Sequence, residues 1–451
     1  MQQFSLTQRT STMISAAVAA VVVSVGFLLS ASHAYAVAPT MLSGATNTFV
    51  EDATGDGTVD KITITFSAAV NINDSALDGF PNLALSNSCT IPTGDYSSAS
   101  TTTLVITGLT GCTAGNTALT PTVTYTALGN CVGDGTICDQ ATDLDEMANG
   151  ANVTSSDKAK PAILTATTGD NNSDGTVDRL VLTFSESVNI TTGGADNDFT
   201  LVASSGTATL VAAGYASPDT TMTYTITASA TGNTSLTVAP TYVVAGAGSI
   251  IDVNSNEMNN GETVAGTDGA KPAVLTAATR DNTADGSIDQ LVLTFSESVV
   301  ITDGGTDNDF TLVASSGTAT ITAAAYGATA STLTYTITTS VTGDTSLTVT
   351  PTYATAGAGS ITDASLTEMN NGETVAGTDG AKPVFMSASP ASGTAASRSS
   401  SLTMTMSETV ASATATTNSG VTLTCTISTV TITCVPNHAF RALLEASRVT
   451  P

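Results

Sequence analysis

Apolar and polar residues alternate along several short runs of the chain. Leu180, Leu182 and Phe184 are separated by Val181 and Thr183, and Leu291, Leu293 and Phe295 repeat the arrangement. Ile62, Ile64 and Phe66 stand in the same frame towards the N-terminus, and Leu402, Met404 and Met406 towards the C-terminus. Met222, Tyr224 and Ile226 form a second run, echoed by Leu333, Tyr335 and Ile337, while Leu236 and Val238 open a third. A period of two places one face of a strand on a core and the other in water. Threonine fills most of the outward places and favours strands. Clusters of Gly, Asn, Asp and Ser break the runs at the strand-plus-turn spacing of a β-sandwich. Beyond Ala36 no segment carries a useful helical period. The pattern predicts an all-β chain of sandwiches.

The pattern itself recurs. Pro161–Lys271 returns almost unchanged as Pro272–Lys382, a period of 111 residues, with LVLTFSESV, DNDFTLVASSGTAT and EMNNGETVAGTDGAK at matching offsets. Solenoid and propeller units repeat every ~20–50 residues, so a period this long is a whole domain. Used as a template, the pair finds two more copies. DATGDGTVDKITITFSAAV in the first part of the chain matches DNNSDGTVDRLVLTFSESV, and SSSLTMTMSETV in the last part matches the same strand. The predicted organisation is a leader at 1–36, modules at 37–157, 158–268 and 269–379, and a partial or truncated fourth at 380–451.

The leader has the features of a secretory signal: Arg9, an uncharged apolar stretch from Met13 to Leu29, and the small-x-small site Ala34-Tyr35-Ala36. The same stretch approaches the length of a spanning helix, so an uncleaved anchor is the alternative. Cleavage would leave no membrane-inserted segment and make the chain secreted or cell-surface. The six cysteines fit that compartment, since an even count in an exported chain favours disulfides. Cys425 and Cys434 flank a hairpin, LTCTISTVTITC, and are expected to pair. Cys89, Cys112, Cys131 and Cys138 allow three connectivities; Cys131 with Cys138 and Cys89 with Cys112 is the expected one.

With 38 acidic residues against 11 basic ones, and a formal net charge of −27, the chain would repel nucleic acid and anionic membranes. Divalent cations are the partner this balance invites.

An opening KP, a D-x-x-x-D-G-x-x-D loop, a TFSESV strand and a closing D-x-x-x-N-E-M turn together resemble bacterial immunoglobulin-like repeats. The likeness spans essentially all of the chain after the leader. It implies tandem Ig-like β-sandwiches and a place in a secreted, adhesin-like or surface-layer protein. The Cys…Trp…Cys core of antibody-type domains is missing, because the chain has no Trp.

The acidic loop carries the clearest chemistry. Asp170, Asn172, Asp174, Gly175 and Asp178 occupy positions 1, 3, 5, 6 and 9 of an EF-hand-type loop, with the carbonyl of Thr176 at position 7. Asp281, Thr283, Asp285, Gly286 and Asp289, with Ser287, form the second version, and Asp52, Thr54, Asp56, Gly57 and Asp60 the first-module version. Oxygen ligands on alternate residues suit calcium (Ca2+). Position 12 departs from the pattern: Val181, Val292 and Thr63 replace the bidentate Glu, so further ligands such as Asp196, Asp198, Asp307 or Asp309 would be needed. An Asp/Asn/Gly turn whose side chains cap their own backbone is the alternative. The loop is expected to face the following junction, Gly266–Pro272, with Asp268 nearby, so that calcium would stiffen the joint. The acid-free stretch PASGTAASRSSS predicts no ion in the last module.

Glu257-Met258 and Glu368-Met369 read as turns plugged by a buried Met, and Glu186 and Glu297 as surface carboxylates at a strand edge. Two histidines, His33 and His438, leave no base for a catalytic triad in three modules. No catalytic residue is therefore assigned. The expected function is a non-enzymatic structural or adhesive protein meeting other surface proteins or glycans. The alternatives are an accessory array of a secreted enzyme, or a ligand-binding module using loops such as Gly214–Thr220.

Overall fold

The computed structural model describes residues 37–140, 145–190, 198–214, 218–243, 249–301, 309–325, 329–354, 361–391, 401–416 and 422–435. The leader, Asp196, Asp307, His438 and the middle of the Gly214–Thr220 loop lie outside them. Every regular element among the described residues is a β-strand. The chain divides into two compact units, Met1–Ala159 and Lys160–Pro451.

In the first unit, Lys61–Asn73 is flanked by Ser98–Thr107 and Phe49–Glu51, with Thr136–Asp139 along its far end and Ser156–Asp157 beside Phe49–Glu51. A second sheet of three strands joins Leu83–Leu85, Thr122–Tyr125 and Asn152–Thr154. Ile62, Ile64, Phe66, Val123 and Tyr125 meet in one core between them. The structure contains the disulfides Cys89–Cys112 and Cys131–Cys138 here, and Cys425–Cys434 in the last sheet.

The second unit contains the two near-identical repeats. In the first of these, a six-stranded sheet has Arg179–Ile190 near its middle, between Asp219–Ala228 and Ile163–Gly169. A two-stranded sheet, Phe199–Ala203 with Val238–Tyr242, covers it. Alternation explains the core: Leu180, Leu182, Met222, Tyr224 and Ile226 point inwards and are all buried. Phe199 links the sheets, with its ring 5.7 Å from both Tyr224 and Tyr242. The next repeat copies the arrangement, with Phe310 5.8 Å from Tyr335 and 5.6 Å from Tyr353.

Each repeat ends beside its own beginning. Gly266–Thr267 pairs in parallel with Ile163–Gly169, and Gly377–Asp379 with Val274–Arg280. The chain therefore leaves a module next to its first strand and enters the following one. Glycine is required at the close approach, because a Cβ on Gly266 would strike the Val238 carbonyl and one on Gly377 that of Val349.

The final part is a five-stranded sheet including Phe385–Ser389, Leu402–Met406 and Thr431–Val435. The alternation expected at Leu402, Met404 and Met406 does not produce a one-sided core, since every position from Leu402 to Met406 is half-buried. Among the described residues no second sheet covers this one.

Candidate functional site

The joint between the two repeats is built from both sides. Gly266–Thr267 delivers Asp268; the following repeat supplies Ser296 and Glu297 from Gln290–Ile301, and Asp363 after Ile361–Thr362. Phe295, Ser296 and Glu297 are all buried, which strict alternation forbids. A bulge is the cause: the ladder to Ala330–Thr339 shifts register between Thr294 and Val299, and a bulge re-aims the side chains it carries. Glu297 is thus not a surface carboxylate, and neither is Glu186, at 8% and 4% exposure.

A chain of hydrogen bonds crosses the joint. The Ala273 N–H donates to Ser296 Oγ at 2.9 Å, and the Ser296 and Thr234 hydroxyls meet at 2.6 Å. Thr234, fully buried, donates to Glu297 Oε1 at 2.6 Å. Thr234 has a single proton, so the Ser296 hydroxyl is the donor to it.

Glu297 also faces two carboxylates. One oxygen from each of Asp268, Glu297 and Asp363 lies within 4.8 Å of the other two. Asp268 Oδ1 accepts the Ala270 N–H at 3.0 Å, and Asp363 Oδ1 the Thr367 N–H at 2.6 Å. Asp363 is fully buried and its Oδ2 has no hydrogen-bond partner. Burial pushes the Asp268 carboxyl up to about 6, with the nearby charge of Asp363 adding to it. Burial likewise pushes Glu297 up to about 7, opposed by the Thr234 hydrogen bond and reinforced by both aspartates. None of the three forms an ion pair with a basic side chain among the described residues.

The next joint reuses the parts. The Thr345 and Ser407 hydroxyls meet at 2.5 Å, and Ser407 Oγ accepts the Val384 N–H at 2.8 Å. Glu408 is shifted upwards by burial and then by its hydrogen bond with Asp379.

The acidic loop of the second module also reaches the joint between the two near-identical repeats. Gly175 has a φ of 82°, and a Cβ on it would lie 2.5 Å from Leu275 and 3.3 Å from Ser296. Ser173 Oγ accepts Asn370 Nδ2 at 2.7 Å. Gly286 abuts Met386 in the same way. Asp268, however, belongs to the carboxylate triad rather than to the loop.

Within the loops the carboxylates accept their own backbone. Asp170 takes the N–H groups of Ser173 and Gly175, each at 2.8 Å; Asp174 that of Thr176; Asp178 that of Asn171. Asn172 donates its side-chain amide to Asp174. Asp281 accepts from Asp285 and Gly286, Asp285 from Ser287, and Asp289 from Asn282 and Thr283. Asp52 accepts from Gly55, Asp56 and Gly57, Asp56 from Thr58, and Asp60 from Ala53 and Thr54. This is the chemistry of a self-capped turn.

The E-M turns form a third recurring device. Met147, Met258 and Met369 are buried, and the preceding Glu146, Glu257 and Glu368 accept the hydroxyls of Tyr125, Tyr242 and Tyr353. Each tyrosine oxygen in turn accepts a strand amide, from Ile137, Ile250 and Ile361.

The fold and its joints define the class: an all-β chain carrying two near-identical two-sheet repeats in tandem. No family model matches the chain, and no curated protein matches it. Among solved structures it is similar to invasin, described as a bacterial integrin-binding protein, at 11% identity over 89% of this chain and 74% of that one, with a TM-score of 0.19.

Proposed function

We propose that the chain is a non-enzymatic extracellular or cell-surface protein of structural or adhesive role, whose modules are held in line by calcium at their joints. The observation that carries this reading is the triad Asp268, Glu297 and Asp363, drawn from two modules, with a buried Asp363 oxygen left unpartnered. Calcium binds oxygens at ~2.3–2.6 Å, so two of its ligands stand at most about 5 Å apart. The 4.8 Å spread of the triad fits one such ion. Its three negative charges, unfavourable together when buried, would then be neutralised. The acidic loops, whose exposed and half-buried carboxylates line the turns before the long strands, are a further place for calcium. Three disulfides suit an oxidising compartment. An array stiffened in this way would present surfaces to other proteins or glycans at a distance.

Small-angle scattering and thermal melting with calcium and with a chelator test the proposal. Chelation is expected to lower the melting temperature of the chain and broaden its distribution of dimensions, and Glu297→Gln to abolish much of both responses. An unchanged maximum dimension together with an unchanged melting temperature would sink it.

A further inference from the structure

A second carboxylate cluster lies wholly within the first unit. Asp74 follows the long strand Lys61–Asn73 and is completely buried, yet neither of its carboxylate oxygens has a hydrogen-bond partner. One oxygen from each of Asp74, Asp78 and Asp134 lies within 4.8 Å of the other two. The described basic side chains of the unit are engaged elsewhere: Lys61 pairs with Glu51 at 2.6 Å, and Lys158 sits 3.7 Å over the Phe49 ring. Nothing among the described residues of the unit neutralises Asp74.

The backbone around the cluster is firmly held. The Asp74 carbonyl accepts the Tyr96 N–H at 3.2 Å and the Ser97 hydroxyl at 2.7 Å. Asp134 Oδ1 accepts the N–H groups of Ser75 and Ala76, and its carbonyl accepts Asn82 Nδ2 at 3.1 Å. Asn73 Nδ2 donates to the Gly133 carbonyl at 3.0 Å. Gly133 and Asp134 lie in the loop closed by the Cys131–Cys138 disulfide. Two segments some sixty residues apart are thus pinned together, with the carboxylate of Asp74 facing two other acids.

We propose that Asp74, Asp78 and Asp134 form a divalent-cation site, of calcium type, that clamps the segment after Lys61–Asn73 to the disulfide-closed loop. Three carboxylate oxygens from two segments supply hard ligands, and the exposed Asp78 leaves a path for the ion and room for water to complete its shell. The proposal does not depend on the joint triad, which belongs to the other unit.

Hydrogen exchange of the full chain, with calcium chloride alone as the ligand and with chelator as the control, decides it. Calcium is expected to slow exchange about tenfold or more at the Ser75 and Ala76 amides and across 130–136. Asp74→Asn should abolish that local response while leaving the response at the Asp268 joint intact; Glu297→Gln should do the reverse. Asp78→Asn touches an exposed side chain and leaves the fold in place, so it guards against loss of the Asp74 variant to misfolding. It should raise the half-saturating calcium concentration about tenfold, because one ligand charge is lost. Exchange indifferent to calcium in the native chain, or a calcium titration unmoved by Asp78→Asn, would overturn the assignment.

Discussion

Thr234 connects a carboxylate to a neighbouring module through one hydroxyl. It donates to Glu297 and receives the proton of Ser296, so replacing it with valine strands both groups in a buried setting. A buried polar group left without its partner costs roughly 1–3 kcal/mol. Thr234→Val is therefore expected to destabilise the second unit by that amount in urea titrations, leaving the first unit's transition where it was. Glu373 gives a pH test at a position outside the triad. Its Oε1 accepts the Val274 N–H at 2.6 Å, and burial pushes it from 4.5 up to about 7. The folded chain then binds the extra proton between those values, so the stability this residue contributes is full below about 4.5 and is lost as the pH rises through 7. Glu373→Gln should flatten that slope; equal pH dependence in both proteins would contradict the assignment. These residues also show where the sequence stops being readable. Leu180, Leu182 and Tyr224 are legible because alternation and burial agree. Glu297 is not, since a bulge breaks the alternation locally and its partners stand at 234, 268 and 363.

At the scale of the element, the bulged strand and the acidic turn are the parts that make a sandwich into a link. The bulge turns Ser296 and Glu297 towards the preceding module, and the turn offers Gly175 to Leu275. The D-x-x-x-D-G-x-x-D spacing was visible in the sequence, but a calcium loop and a self-capped turn share it. The hydrogen bonds show which oxygens the turn amides use, Asp170 accepting from Ser173 and Gly175. Glycine at 175 answers two demands, a positive φ and a contact with the next module. Gly175→Ala is expected to cost about 1–2 kcal/mol through backbone strain and the clash. Combining it with Leu275→Ala should recover the clash component and leave the strain, giving a non-zero coupling in a double-mutant cycle. Strict additivity would show that the turn does not press on the next module.

The second unit reuses one joint. Thr234 with Ser296 and Thr345 with Ser407 are the same contact one period apart, as are Gly175 with Leu275 and Gly286 with Met386. Energetically such an array approaches a sum of module stabilities and nearest-neighbour interfaces. This makes a whole repeat removable. Deleting 272–382 brings Lys271 directly before Pro383, a junction that already exists in the chain as Lys382-Pro383. Thr234 would then meet Ser407, Gly175 would meet Met386, and Asp268 would stand where Asp379 now approaches Glu408. The shortened chain is expected to fold with one joint fewer. Its remaining transitions should fall within about 0.5 kcal/mol of the parent's. The deletion also removes Glu297 and Asp363 together, so the calcium response assigned to the 268–297–363 triad should disappear, while that at Asp74 persists. Differential scanning calorimetry with and without chelator reads both outcomes at once. Collapse of the remaining transitions would mean that the repeats stabilise one another beyond their immediate neighbours.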